Sequence, residues 1–129
     1  MNNGWKVIYY ENIKGYSEVL GFINSLNDNE QAKVLSWITI LGERGPNLPR
    51  PYSDLLEDGI HELRLKLTGK QVRVLYFFCY KEFIVLTSSF AKKTDKIPIK
   101  ELLKAKNIRE DFLQRYNKIK LQEVYDENS

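Results

Sequence analysis

Residues 62–98 read ELRLKLTGKQVRVLYFFCYKEFIVLTSSFAKKTDKIP, and this stretch predicts three consecutive β-strands. At its start leucines alternate with charged residues, which is typical of a strand with one buried and one solvated face. The dipeptide Thr68-Gly69 then supplies a turn. We expect an antiparallel meander whose strands run over about residues 60–67, 71–80 and 83–91.

Two arginines are expected to face each other across this turn. A loop of two or four residues pairs Arg64 with Arg73, whereas a three-residue loop with a bulge would offset them. Like charges directly opposite each other destabilise a sheet, so the pair indicates an anion between the two side chains. Phosphate is the natural candidate for that anion, and both arginines are expected on the polar face of the sheet.

Positive charge is concentrated in the same part of the chain. The formal net charge of the whole chain is +3, yet residues 64–100 alone hold nine basic and two acidic side chains. Residues 1–63 carry a net charge of −4, and residues 101–129 are balanced. This asymmetry is typical of proteins that bind a polyanion such as nucleic acid, although a merely solvated basic surface gives the same pattern.

Upstream of the meander the sequence predicts one strand and two helices. The strand covers about residues 5–11, and a helix follows from Tyr16 or Ser17. Asn27-Asp28 ends that helix and caps a second one, which stops near residues 42–45. Two helices joined so closely are expected to form an antiparallel hairpin that packs on the sheet.

The positions of the prolines predict a connecting loop and the start of the last helix. Residues 45–53 contain three of the four prolines and are expected to form a loop. Pro98 suits the first turn of a last helix, with Thr94 or Asp95 as its N-cap. The helical pattern is lost near the C-terminus. We therefore predict an α+β fold with a single domain over residues 1–120 and a frayed tail over residues 121–129.

The residue types present exclude several kinds of chemistry. No metal-ligand cluster, glycine-rich phosphate loop or Ser-His-Asp grouping is visible, and we expect no cofactor. Alternation puts His61 on the face opposite Arg64, where a structural role is favoured over catalysis. Cys79 lies in an apolar strand and is expected to be a small buried hydrophobic residue. No apolar run approaches a membrane span, no signal peptide is seen, and a lone cysteine fits a reducing compartment. We expect a soluble cytoplasmic protein.

Cationic side chains alone can promote phosphoryl transfer on RNA. An RNA strand brings its own nucleophile, the 2′-hydroxyl, so an enzyme needs only to align it and stabilise charge on the phosphate. A guanidinium binds two phosphate oxygens at once, and a lysine crowded by other cations can have a lowered pKa and transfer protons. Arg64, Lys66 and Arg73 are expected to share one face, and Lys92 and Lys93 follow at the end of the last strand.

Four segments between Leu41 and Leu103 together resemble the phage-derived, HigB-like branch of the RelE/ParE toxin superfamily: LGERGPNLPRPYSDLL, GIHELRLK, QVRVLYFF and FAKKTDKIP. The resemblance implies a RelE-like fold and the toxin of a type II toxin–antitoxin pair. Most RelE and HigB relatives cut mRNA in the ribosomal A site without a metal, and the antitoxin of HigB types is commonly a helix-turn-helix protein. The expected partners are that antitoxin, the ribosome and mRNA.

The resemblance also implies roles for individual side chains. Arg64 and Lys66 match basic positions of the family's central strand, and Arg73 matches the arginine that contacts the scissile phosphate. RelE has a tyrosine a few residues after this patch, but the matching DKIPI has no aromatic, so either a lysine transfers the proton or catalysis is weaker. The predicted catalytic residues are Arg64, Arg73 and Lys93, and the predicted RNA-binding residues are Lys66, Lys70, Lys92 and Lys96.

Three functions remain open from the sequence. The leading one is a ribosome-dependent mRNA endoribonuclease that arrests translation. The second is a ParE-like toxin that keeps the fold but poisons DNA gyrase without cutting, and the paired arginines argue against it. The third is a non-catalytic nucleic-acid-binding module. A fold does not decide among them, so the choice depends on the site.

Overall fold

The computed structural model describes residues 4–128, so Ser129 of the predicted tail and residues 1–3 of the predicted domain lie outside the described residues. A five-stranded sheet with the order β1-β5-β4-β3-β2 forms the middle layer. Strand β1 runs parallel to β5, and the other neighbours are antiparallel. The elements are β1 (Lys6–Tyr9), α1 (Glu18–Asn24), α2 (Asp28–Arg44), β2 (Ser53–Glu57), β3 (Ile60–Leu67), β4 (Lys70–Cys79), β5 (Phe83–Lys92), α3 (Ile99–Arg115) and α4 (Lys118–Asn128).

The predicted α+β class is confirmed, and the three strands of the meander lie within one residue of their predicted bounds. The predicted caps of the helix hairpin also form: Ser17 accepts from the N–H of Leu20, and Asn27 accepts from the N–H of Glu30. Strand β2 was not predicted, because the prolines before it favour a loop. It is an edge strand that pairs only with β3, where nearby prolines are tolerated.

Helices cover both faces of the sheet. Helices α1 and α2 pack on one face, which we call the α1/α2 face, over a core that includes Leu63, Val74 and Ile84. Helices α3 and α4 pack on the other, the α3/α4 face, over a core that includes Leu75 and Phe77. Every strand residue therefore belongs to one of two environments, set by the alternation of side chains. Among residues 4–128, no helix combines the length and apolar character needed to cross a membrane.

The C-terminal region differs from the prediction. The expected frayed tail is wrong as far as it can be described, because α4 runs to Asn128 and buries Leu121. The backbone leaves helical geometry at Tyr116, whose carbonyl accepts from the hydroxyl of Tyr80 at 2.6 Å. The expected caps of α3 are also wrong, since Pro98 is the N-cap residue and no side chain caps this helix. Leu121 is the one buried residue of this short helix, and its apolar Ile119 is exposed, so the periodic signal in the sequence is too weak to predict the helix.

Replacing Leu121 with alanine is expected to lower the free energy of unfolding by about 2–5 kcal/mol, because it leaves a cavity beneath α4. Urea denaturation followed by circular dichroism measures this change. Ile119→Ala on the same helix is the matched control, since that side chain is 73 % exposed. Its expected effect is within about 0.5 kcal/mol. Equal effects of the two substitutions would mean that α4 does not pack on the sheet.

Candidate nucleic-acid interface

The register of β3, β4 and β5 arranges the predicted cations in two neighbouring rows on the α3/α4 face. In the first row Arg64 pairs with Arg73, and Arg73 pairs with Phe90. In the second row Gln71 stands between Lys66 and Lys92. Directly paired residues on adjacent strands share a face. The predicted pairing of Arg64 with Arg73 is therefore confirmed.

A β-bulge brings Lys92 and Phe90 to this face. The pairing between β4 and β5 shifts by one residue between Leu75 and Tyr76, with Thr87 as the extra residue of β5. The Thr87 hydroxyl donates to the carbonyl of Leu75 at 3.0 Å, which holds the bulge. With uninterrupted alternation, Phe90 and Lys92 would lie on the α1/α2 face. The bulge therefore assembles the second row.

The anion predicted between the two arginines is present, but it belongs to the protein. The Glu62 side chain is 2 % exposed, with Oε2 at 2.9 Å from Nε of Arg64 and Oε1 at 3.2 Å from Nε of Arg73. The contact to Arg73 is a close ion pair without the alignment of a hydrogen bond. One carboxylate thus separates the like charges. The expectation that a phosphate fills this position is corrected, because Glu62 already occupies it.

Arg73 is buried, contrary to the expectation that it lies on a solvated face. Its side chain is 6 % exposed, and its guanidinium donates to the carbonyl of Val72 at 3.1 Å and to Oε1 of Gln71 at 3.3 Å. Burial lowers the pKa of Arg73 from its ordinary value, and the charge of Glu62 acts in the opposite direction. Alternation predicts which face a residue occupies, but not how deeply the rest of the fold buries it.

Arg64 is the member of the pair that solvent reaches. Its side chain is 28 % exposed, and it contacts Asp54 at 3.2 Å in addition to Glu62. Asp54 also pairs with the exposed Arg50 at 3.0 Å. Two carboxylates therefore hold the Arg64 guanidinium, while the side chain stays partly exposed. An arginine that is fixed in place and partly exposed is suited to bind a phosphate.

The predicted RNA-binding lysines and the predicted catalytic Lys93 lie in three places. Lys66 is exposed and Lys92 is half-buried, both in the second row. Lys93 and Lys96 are exposed between the end of β5 and the start of α3. Lys70 is separate from these, because its ammonium lies 6.0 Å from the ring of Phe22 on α1, over the opposite face. The structure brings Lys66 and Lys92 beside the arginines and places Lys70 elsewhere.

Three side chains of this site were not predicted, namely Glu62, Asp54 and Phe90. Glu62 precedes Arg64 by two residues, so alternation alone could have placed the carboxylate beside the guanidinium. Asp54 lies on the unpredicted strand β2. Phe90 is partly buried opposite Arg73. Simple alternation does not predict its face, because the bulge reverses the alternation of β5 before this residue.

His61 and Cys79 do not join the site. His61 lies on the α1/α2 face as predicted, stacked on Tyr76 with ring centroids 5.3 Å apart. Burial lowers the pKa of His61 below its ordinary value, while the charge of Asp54 opposes this shift. Burial raises the pKa of the Cys79 thiol to about 12, which fits a buried hydrophobe. Within residues 4–128, no group of three or more His, Cys, Asp or Glu side chains is arranged to hold a metal ion.

These features define a class: a small α+β protein whose mixed sheet carries an Arg–Glu–Arg cluster beside exposed lysines. Residues 21–110 match the family model described as phage-derived protein Gp49-like, and the chain belongs to this family. The matched segment contains the whole candidate site. No curated protein matches the chain.

Proposed function

We propose that this protein is the toxin of a type II toxin–antitoxin pair and acts as a ribosome-dependent, metal-independent mRNA endoribonuclease. The observation that carries the proposal is Arg64, which two carboxylates hold in place while its side chain stays partly exposed beside the row of Lys66 and Lys92. Membership in the phage-derived Gp49-like family and the resemblance to HigB-like toxins support it.

The proposed reaction uses the RNA's own 2′-hydroxyl. Its oxygen attacks the adjacent phosphorus, a base takes its proton, and the bond from phosphorus to the 5′-oxygen breaks as that oxygen gains a proton. The products are a 2′,3′-cyclic phosphate and a free 5′-hydroxyl. Arg64 stabilises the negative charge that develops on the phosphate oxygens. Lys93, exposed just after β5, is the proposed proton-transfer residue.

Arg73 takes a different role in this proposal from the one the sequence suggested. A side chain buried to this extent does not reach an incoming RNA strand. Because Arg73 and Arg64 share Glu62, Arg73 fixes the carboxylate that in turn orients Arg64. It is therefore a positioning residue. The exposed lysines 66 and 96 and the half-buried Lys92 bind the phosphates on either side of the cut, whereas Lys70 on the opposite face does not.

The test is inducible expression in bacteria together with primer extension on a reporter message. We expect growth arrest and new 5′ ends inside the coding region. A matched message without its start codon should stay intact, because the proposed nuclease acts on translating ribosomes. Arrest without cuts would overturn the nuclease proposal and favour a gyrase-type target. Normal growth at confirmed expression would overturn the toxin proposal and favour a non-catalytic nucleic-acid-binding module.

A further inference from the structure

A cavity of about 280 Å³ lies at the β2 edge of the sheet, next to the arginine cluster. The rings of His61, Tyr76 and Phe78 line it from β3 and β4, and the loop between α2 and β2 lines it from the other side. Asp54 of β2 also lines the cavity. Pockets for drug-sized ligands start at about 300 Å³, so this cavity suits a small ligand such as a single planar ring system.

The aromatic rings of the cavity pack against one another. His61, already described as stacked on Tyr76, also meets the ring of Phe78 edge-on, with centroids 5.0 Å apart. Phe78 in turn contacts the ring of Trp5 at 4.9 Å. Each ring is thus held in one orientation by its neighbours. Ordered aromatic side chains of this kind are the surfaces on which unpaired nucleobases stack.

The His61 ring also offers polar atoms that the protein does not use. The side chain is half-buried, and among residues 4–128 neither of its ring nitrogens has a hydrogen-bond partner. Because burial lowers the pKa of His61, the ring is neutral at pH 7. A neutral imidazole carries one N–H donor and one acceptor nitrogen. The edges of nucleobases carry donors and acceptors as well, so His61 can both stack on a base and hydrogen-bond with one.

The walls of the cavity are held in place before any ligand binds. Gly45 lines the cavity with a φ of +54°, and a Cβ at this position would collide with the ring of Trp5. The hydroxyl of Ser53 donates to the carbonyl of Leu48 at 2.6 Å, which ties the loop to β2. The same loop contains three prolines, which restrict its backbone. A preformed site loses little conformational entropy when a ligand binds.

Asp54 connects the cavity to the partly exposed arginine. This residue lines the cavity, and its carboxylate lies 3.2 Å from the guanidinium of Arg64. The backbone N–H of Arg64 also donates to the carbonyl of Tyr52, just before β2, at 2.9 Å. A site for a planar ring and a site for a phosphate are therefore neighbours at one edge of the sheet. Single-stranded RNA offers both groups on every nucleotide.

We propose that this cavity binds one base of single-stranded RNA while the phosphate of the same nucleotide lies at Arg64. Assigning that phosphate to the position of the cut rests on the proposed function. His61 supplies the stacking surface and the hydrogen bonds to the edge of the base. The cavity thereby adds contacts to a base, which carry sequence information, to the contacts that the cations make with phosphates.

The experiment uses the purified full chain without a histidine tag and without ribosomes. His61 is the single histidine of the chain, so its ring protons give NMR signals that need no further assignment. One probe is an RNA trinucleotide with 2′-O-methyl groups, which has no free nucleophile and stays intact, and the second probe lacks the central base. We expect the complete trinucleotide to shift the His61 ring signals and to bind about tenfold more tightly than the abasic one.

Variants then locate the base. His61→Ala is expected to weaken the complete trinucleotide about tenfold and to leave the affinity for the abasic one unchanged. His61→Phe keeps a stacking ring, so a smaller loss is expected, and this variant tests the site if His61→Ala does not fold. Arg64→Ala should weaken both probes by the same factor, because both carry the phosphates. Tyr16→Ala, which removes a ring that is 58 % exposed outside the cavity, is the matched control and should change neither affinity by more than about twofold.

Three results would overturn the proposal. The first is equal affinity for the two trinucleotides, and the second is unchanged binding of the complete one by folded His61→Ala. The third is a free nucleoside 5′-monophosphate that binds as tightly as the trinucleotide, since that result assigns the cavity to a mononucleotide ligand. Neither probe can be cut, so a failure of the proposed nuclease appears only in primer extension and leaves the binding result intact.

Discussion

Arg64→Ala is expected to reduce RNA cleavage about 100-fold or more while the protein stays folded. The large effect follows from the loss of a charged donor aimed at the phosphate, where charge develops in the transition state. The fold is expected to survive because the Arg64 side chain is partly exposed and because Glu62 keeps its contact with Arg73. Cleavage of a ribosome-bound message by purified protein measures the rate, and thermal denaturation checks the fold.

Two further substitutions test whether cleavage depends on the planar geometry of the Arg64 guanidinium or only on positive charge near this cluster. Arg64→Lys keeps the charge but loses the planar pair of donors, so we expect intermediate activity. Arg50→Ala removes the other arginine that contacts Asp54, yet Arg50 lies outside the two cationic rows, so near-normal cleavage is expected. If folded Arg64→Ala cuts as fast as the unmodified protein, Arg64 does not contact the scissile phosphate and the site lies elsewhere.

Glu62→Ala is expected to destabilise the protein by about 3–5 kcal/mol. The substitution leaves the buried Arg73 beside Arg64 with no carboxylate between them, and an unpaired buried charge is among the costliest single defects. Glu62→Gln keeps the size of the side chain and one acceptor oxygen, so a smaller loss is expected. Urea denaturation gives the free energies of unfolding.

The control for this series is Glu57→Ala, which removes an exposed carboxylate that pairs with Lys106, and a change below about 1 kcal/mol is expected. A double variant, Glu62→Leu with Arg73→Met, should recover most of the stability lost in Glu62→Ala, since it removes both buried charges. Arg64 would still contact Asp54. A loss in Glu62→Ala no larger than in Glu57→Ala would mean that the cluster is solvated and that Arg64 is not held by it.

Much of the fold was predictable because it depends on local patterns. Alternating leucines and one short turn were enough to predict the pairing of Arg64 with Arg73. The side-chain caps of α1 and α2 were equally predictable from the sequence. Ser17 and Asn27 each accept a hydrogen bond from a backbone N–H only three residues further along the chain. Strand β2 and helix α4 were missed because each depends on distant partners, β3 in one case and the sheet core in the other.

The features of the candidate site also divide into those that local sequence patterns predict and those that depend on distant contacts. The sequence by itself determined the excess of positive charge in residues 64–100, the pairing of the two arginines and the position of His61 on the other face. Each of these follows from composition or from the two-residue period of a strand. They establish which cations can meet on the sheet.

Only the tertiary structure decided which of these cations is accessible. In the folded domain Arg73 and Glu62 are buried and Arg64 stays partly exposed, while one bulged residue in β5 brings Lys92 to the same face. Burial depends on contacts between residues far apart in the chain, and a bulge reverses the alternation beyond it. Neither effect has a local signature in the sequence, because both arise from the free energy of packing the whole domain.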